Sequence, residues 1–174
     1  YGATDEDVPA AAKADPAVAK VRSQVFLQHV RRTRAFWNLI TIHHLGCIGH
    51  AIVMVSAVKF ATTRGVPLES AALIITVYSF SSMGSRFMVP ILADRWGAKG
   101  VMALFFFLQG ITVALLFWTQ QAWQFYLFAA LFGIGFGGEM SAFLVINRQY
   151  YGMGPVRTVF GFQHLGSGLG MALG

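Results

Sequence analysis

Charge is what this sequence has least of: Asp, Glu, Lys and Arg together supply only 11% of its 174 residues, where soluble domains run near a quarter. So few charges cannot coat the surface that a soluble domain of this length exposes to water. Cysteine is nearly absent too. The single thiol, Cys47, lies inside an apolar run, so neither a disulfide framework nor a Cys-rich metal site is available. Residues 1–34 contain no apolar stretch of the kind a signal peptide requires. No Ser/His/Asp set, His-rich cluster or nucleotide-binding loop is seen, so an enzyme and a bound cofactor are not expected. The net charge of +6 comes from Lys and Arg scattered among several loops, which marks topology and not a nucleic-acid surface.

Apolar residues are plentiful, at 56%, and Phe and Gly reach 16 and 19 copies. Small residues let membrane helices approach closely, and aromatics fill the grooves between them. The expectation is an all-α integral membrane protein in contact with the lipid bilayer. A helix needs roughly 20 apolar residues to cross the hydrocarbon core. Helices are expected at about 35–58, 68–93, 99–118 and 122–147, with a fifth over 157–174 that stops at Gly174 without a polar flank. That ending, and a start at Tyr1, read as a piece of a longer protein. Across the apolar runs 35–58, 71–93, 100–118 and 122–147 the only acidic or basic residues are Arg86 in the second and Glu139 in the fourth. Residues 1–20, rich in Ala, Asp, Pro and Lys, read as a linker. Residues 21–34 form a basic amphipathic end, either lying on the membrane surface or simply flanking the first span. Phe105, Phe106 and Phe107 are expected to face lipid, and Trp118 and Trp123 to flank an outer loop.

The loops differ in charge. Ten Lys and Arg fall on one side: Lys13, Lys20, Arg22, Arg31, Arg32 and Arg34 before the first span, Arg95 and Lys99 after the second, Arg148 and Arg157 after the fourth. Lys59 and Arg64 are the two on the other side. The positive-inside rule then places the N-terminus in the cytoplasm, in a multi-pass protein of the cell (inner) membrane.

Between the second and third spans the sequence reads Pro90-Ile-Leu-Ala-Asp94-Arg95-Trp96-Gly97-Ala98-Lys99. This resembles the loop signature of the major facilitator superfamily, G-x-x-x-D-R-x-G-x-[KR], with Pro90 in place of the first glycine. The resemblance implies a gating loop formed by Asp94, Arg95, Gly97 and Lys99. The long polar stretch before the first span resembles the family's central linker. Gln149-Tyr-Tyr-Gly-Met-Gly-Pro155, followed by a glycine-spaced helix, resembles the run between helices ten and eleven of monocarboxylate and oxalate/formate carriers. The expected fold is therefore an incomplete C-terminal six-helix bundle, helices seven to eleven, whose partner is the missing N-terminal half of the same transporter.

Arg86 is the foremost candidate for substrate binding. An arginine in an apolar span costs about 2.5–3.5 kcal/mol on insertion scales, and it lies eight residues from Asp94, roughly 12 Å by helical rise. At 100° per residue Ser79, Ser82 and Arg86 fall within a wedge of roughly 60°, a polar stripe suited to a cavity. In the carriers named above, the resemblance puts a carboxylate-binding or gating arginine at this place; the acid often found one turn earlier is Ser82 here. Glu139, at the same expected depth, either pairs with Arg86 or carries a proton. His43 and His50 share a helix face and are expected to line the cavity, as binding or proton-transfer residues, with His164 a weaker candidate for the proton role. Seven residues apart, the first two cannot share one metal ion, and no metal is expected. The glycine pairs Gly133/Gly137 and Gly166/Gly170 read as helix-packing devices.

The expected function is a secondary carrier of small organic anions, monocarboxylates or oxalate-like dicarboxylates, working by alternating access with proton coupling or exchange. The alternatives are efflux of drug-like or neutral compounds, and a non-transporting receptor or scaffold.

Overall fold

The computed structural model describes residues 15–152 and 154–174; the linker reading of residues 1–14 lies outside them. Six helices follow one another: α1 Pro16–Val30, α2 Arg34–Thr63, α3 Leu68–Trp96, α4 Ala98–Leu115, α5 Ala122–Tyr151 and α6 Val156–Leu173, with no strand among the described residues. α2 to α5 are each long and apolar enough to cross a membrane.

Local chemistry fixes the ends. Asp15 caps α1 by accepting from the Ala17 amide at 2.9 Å, and Pro16 opens the helix where its missing N–H costs nothing. Residues 16–20, read as linker, are thus the first turn of a helix. Thr33 separates α1 from α2: its hydroxyl donates to the Val30 carbonyl at 2.7 Å and accepts from the Phe36 amide at 3.4 Å. Gly65, at φ +84°, ends α2. α3 and α4 are joined by Gly97 alone, at φ +82° and ψ 134°, a conformation open essentially to glycine. Gln121 and Gln124 cap α5 reciprocally.

The bundle is built around α5, of whose most apolar window 67% is buried, against 22–33% for the other three spans. Glycines make that burial possible. A Cβ on Gly137 would strike the Ser82 carbonyl and Ser85 hydroxyl of α3, and one on Gly138 would strike the Phe105 ring of α4. Gly133 faces Tyr78 of α3 and Gly135 faces Gln109 of α4, so the glycine run of α5 serves two neighbours at once. α6 meets α2 in the same manner, with Gly166 against Ile40 and Gly170 against His44 and Cys47. Phe105 is therefore buried, and Phe106 touches Gly46 of α2; of the three phenylalanines expected to face lipid, only Phe107 is strongly exposed. Trp118 and Trp123 are both exposed beside the α4–α5 loop.

The loops sort to two ends. Arg64, after α2, donates from Nη1 to the Thr119 carbonyl, after α4, at 3.0 Å. At the opposite end Lys99 lies over the Tyr150 ring, Arg31 over the Phe162 ring, and Phe26 of α1 packs against Gly154. Two apolar clusters fill the interior, one near each end. The first holds Phe36, Leu39, Phe105, Phe143 and Ile146, and the second holds Ile74, Tyr78, Phe125, Phe128 and Phe132.

Candidate functional site

Four ionisable side chains lie eight to twelve residues in from the basic end of their helices: His43 from Arg34, Arg86 from Trp96, Glu139 from Tyr151 and His164 from Val156. At about 1.5 Å of rise per residue that is roughly 12–18 Å of depth. The helices run antiparallel, so these side chains fall in one broad layer of the bundle.

Within that layer the partner of Glu139 is His43, not Arg86. His43 Nδ1 and Glu139 Oε1 are 3.2 Å apart, and the two side chains are 1% and 2% exposed. The His43 ring stacks on Phe143 of α5, centroids 4.1 Å apart and planes 10° off parallel. His164 approaches from α6, its ring 6.0 Å from His43 and 4.0 Å from Phe160, with Nδ1 donating to the Phe160 carbonyl at 3.2 Å. His44 points elsewhere and ties α2 to α6 by donating from Nδ1 to the Gly166 carbonyl at 2.6 Å.

His50, expected to line the cavity as His43 does, sits two turns further along in an aromatic nest. Its ring stacks on Phe136 at 3.8 Å, and the Tyr78 hydroxyl is 3.4 Å from either ring nitrogen. Both histidines are enclosed by α5 and its rings. Tyr78 and Phe136 went unnoticed in the sequence, although each lies on an apolar face at helical spacing from the polar residues it serves.

The expected stripe on α3 is divided. Ser82 turns inward, 4% exposed, against Gly137 of α5. Ser79 and Arg86 are exposed, and the Ser79 hydroxyl donates to its own helix at the Ile75 carbonyl, 2.8 Å away. The Arg86 charge lies within electrostatic reach of Tyr78 and His50. One turn later Pro90 has no N–H, so the Arg86 carbonyl loses its helical donor. Arg86 thus presents a permanent cation beside a freed backbone acceptor, on an open face at membrane depth.

In the turn, Asp94 and Arg95 are exposed in the last turn of α3, Gly97 makes the reversal, and the Lys99 ammonium stands 5.2 Å from the Tyr150 ring centroid. A sequence-invisible feature lies on α6, where Gln163 is fully buried with neither side-chain polar atom paired among the described residues.

The family model described as Major Facilitator Superfamily matches residues 3–174. A curated relative, the "Uncharacterized MFS-type transporter YhjX" of Escherichia coli (strain K12), is 24% identical over 152 residues, which cover 86% of this chain and 38% of the relative. The chain therefore spans well under half of that relative's length.

Proposed function

Since this chain belongs to the major facilitator superfamily, we propose that it is the second half of a secondary carrier that moves small organic anions, monocarboxylates or oxalate-like dicarboxylates, by alternating access. The carrier lies in the cell (inner) membrane, with α1 and the α3–α4 turn in the cytoplasm; the ten-to-two distribution of Lys and Arg supports that orientation. Net anion movement is coupled to protons or to exchange.

The observation that carries the anion reading is Arg86. A guanidinium remains charged under all conditions, and at membrane depth it must be met by protein, water or an anion. Glu139 is engaged with His43, which leaves the Arg86 fork open for a carboxylate. Its α3 face is exposed, where the first half of the carrier would complete a site shared between repeats. Ser79, on the same open face, would turn its hydroxyl from the Ile75 carbonyl to a second substrate oxygen. Ser82, His43 and His50 are buried among α2, α3 and α5 beside this face.

The test is exchange of labelled pyruvate or oxalate by the full-length protein in proteoliposomes. Arg86→Ala abolishes exchange at unchanged protein content, and Arg86→Lys, which keeps the charge but loses the fork, retains only part of it. Exchange that is indifferent to Arg86→Ala removes Arg86 from the site, and no exchange of either anion by the wild type defeats the anion reading and favours a carrier of neutral compounds.

A further inference from the structure

We infer that the Arg86 main-chain carbonyl, set free by Pro90, is a second contact of the substrate site and selects small carboxylates that carry a hydroxyl on the carbon next to the carboxylate. The inference rests on the carrier reading above and narrows its substrate class.

Inside an α-helix each carbonyl accepts from the N–H four residues further on. For Arg86 that residue is Pro90, which has no N–H, in the interior of α3. A serine or threonine one turn on fills such a gap by bonding back with its hydroxyl, but the residues there are Val89 and Pro90. The hydroxyls of Ser79 and Ser85 are turned to the Ile75 and Ser82 carbonyls, at 2.8 and 3.0 Å. The Arg86 acceptor therefore stays open. At membrane depth an unmet carbonyl is tolerated only against protein or in a water-filled cavity. The guanidinium of the same residue makes the same demand for its charge. Two separate requirements for a polar lining thus meet at Arg86.

At 100° per residue Ser79, Met83, Arg86 and Pro90 fall within a wedge of roughly 60° on α3, and all four are exposed. The guanidinium and the carbonyl share that stripe but extend along it in opposite senses. A helical side chain leans toward the N-terminus of its helix, and the Arg86 charge reaches Tyr78, which lies on that side. The carbonyl points the other way, toward Pro90. A donor fork and an acceptor on either side of one Cα form a two-point contact, with hydrogen bonds of about 2.8 Å at each end. A 2-hydroxy acid matches it, with the carboxylate on the guanidinium and the hydroxyl donating to the carbonyl. A 2-oxo acid of the same size turns a lone pair to that carbonyl, and an unsubstituted acid turns a methylene to it. Either leaves the acceptor unpaired. Pro90 stands where the loop signature of the superfamily has glycine, so the open acceptor is not part of that signature.

The experiment measures half-saturation concentrations for exchange by the full-length protein in proteoliposomes. Lactate, pyruvate and propionate are the probes, equal in carbon skeleton and different only at the carbon next to the carboxylate. Wild type is expected to half-saturate with lactate at a concentration about fivefold below that of either other probe, the factor that one neutral hydrogen bond contributes. Pro90→Ala and Pro90→Leu each return an N–H to the Arg86 carbonyl and complete the helix, so both are expected to assemble and to lose the preference. Arg86→Lys keeps the open carbonyl and is expected to keep the preference at a lower rate of exchange. No preference for lactate in wild type, or a preference that survives in both Pro90 variants, overturns the inference. A common weakening of all the probes in those variants, with their ratios kept, also overturns it, because Pro90 then only shapes α3. Exchange of oxalate with none of the probes moved overturns it but leaves the carrier reading standing. A wild type that moves neither oxalate nor any probe defeats the anion-carrier reading itself.

Discussion

Replacing Gly137 by Ala separates packing from propensity within one substitution type. Alanine is favoured over glycine inside a helix by about 1 kcal/mol, so propensity alone predicts a gain. At Gly137 the added methyl meets the Ser82 carbonyl and the Ser85 hydroxyl. A carbonyl belongs to the α3 backbone and cannot rotate away, so α3 and α5 must separate along their shared face. Overpacking of this kind costs about 1–3 kcal/mol. After the propensity gain the net loss is about 0–2 kcal/mol, and its midpoint of about 1 kcal/mol is roughly a fivefold change in the folding equilibrium. Gly100, in the first turn of α4, is the control, since a Cβ there meets nothing within 4 Å. The assay is reversible unfolding of the full-length protein in mixed micelles. Gly137→Ala should unfold first, and Gly100→Ala at or above wild type. Equal stability of the two variants would refute the close approach of α5 to α3 on which the buried layer depends.

Two further outcomes follow from the turns. Gly97→Ala should cost about 1–3 kcal/mol in the same assay, because φ +82° with ψ 134° is a conformation that a Cβ opposes; Gly84→Ala, with open space around it, should not. Thr33→Ala removes the cap between α1 and α2 and should cost about 1 kcal/mol, read as faster proteolysis between Val30 and Phe36.

The spans were legible because hydropathy alone reports them, and the sharp α3–α4 reversal because Gly97 sits in a short polar interval between two such runs. Helix ends were less so. α2 continues through Lys59 to Thr63 and α5 through Arg148 to Tyr151, because backbone hydrogen bonding does not stop at the edge of the hydrocarbon where the apolar pattern does. α1 was partly hidden for the opposite reason: its start is signalled by Asp15 and Pro16, a cap and a helix opener, within a stretch too polar to read as ordered. The common depth of Arg86 and Glu139 was legible. The place of His43 beside Glu139 was not, because depth cannot say which side chains face each other; that is set by helix rotation and neighbour order. The same limit applies to Ser82. A 60° wedge on α3 is narrow enough to suggest one environment, yet it straddles the line where α5 covers the helix, and Gly137 draws Ser82 to the inside.

The account depends above all on apolar helices threaded back and forth through a bilayer, with basic turns gathered on the cytoplasmic face. Single cysteines at Arg95→Cys and Gln120→Cys, introduced into a full-length protein in which Cys47 and all other thiols have been replaced, test this by labelling in intact cells. Position 95 lies in the last turn of α3 and position 120 in the α4–α5 loop, both exposed. A membrane-impermeant maleimide should label Gln120→Cys directly and Arg95→Cys only after the membrane is opened. Direct labelling of both from the same side would contradict it.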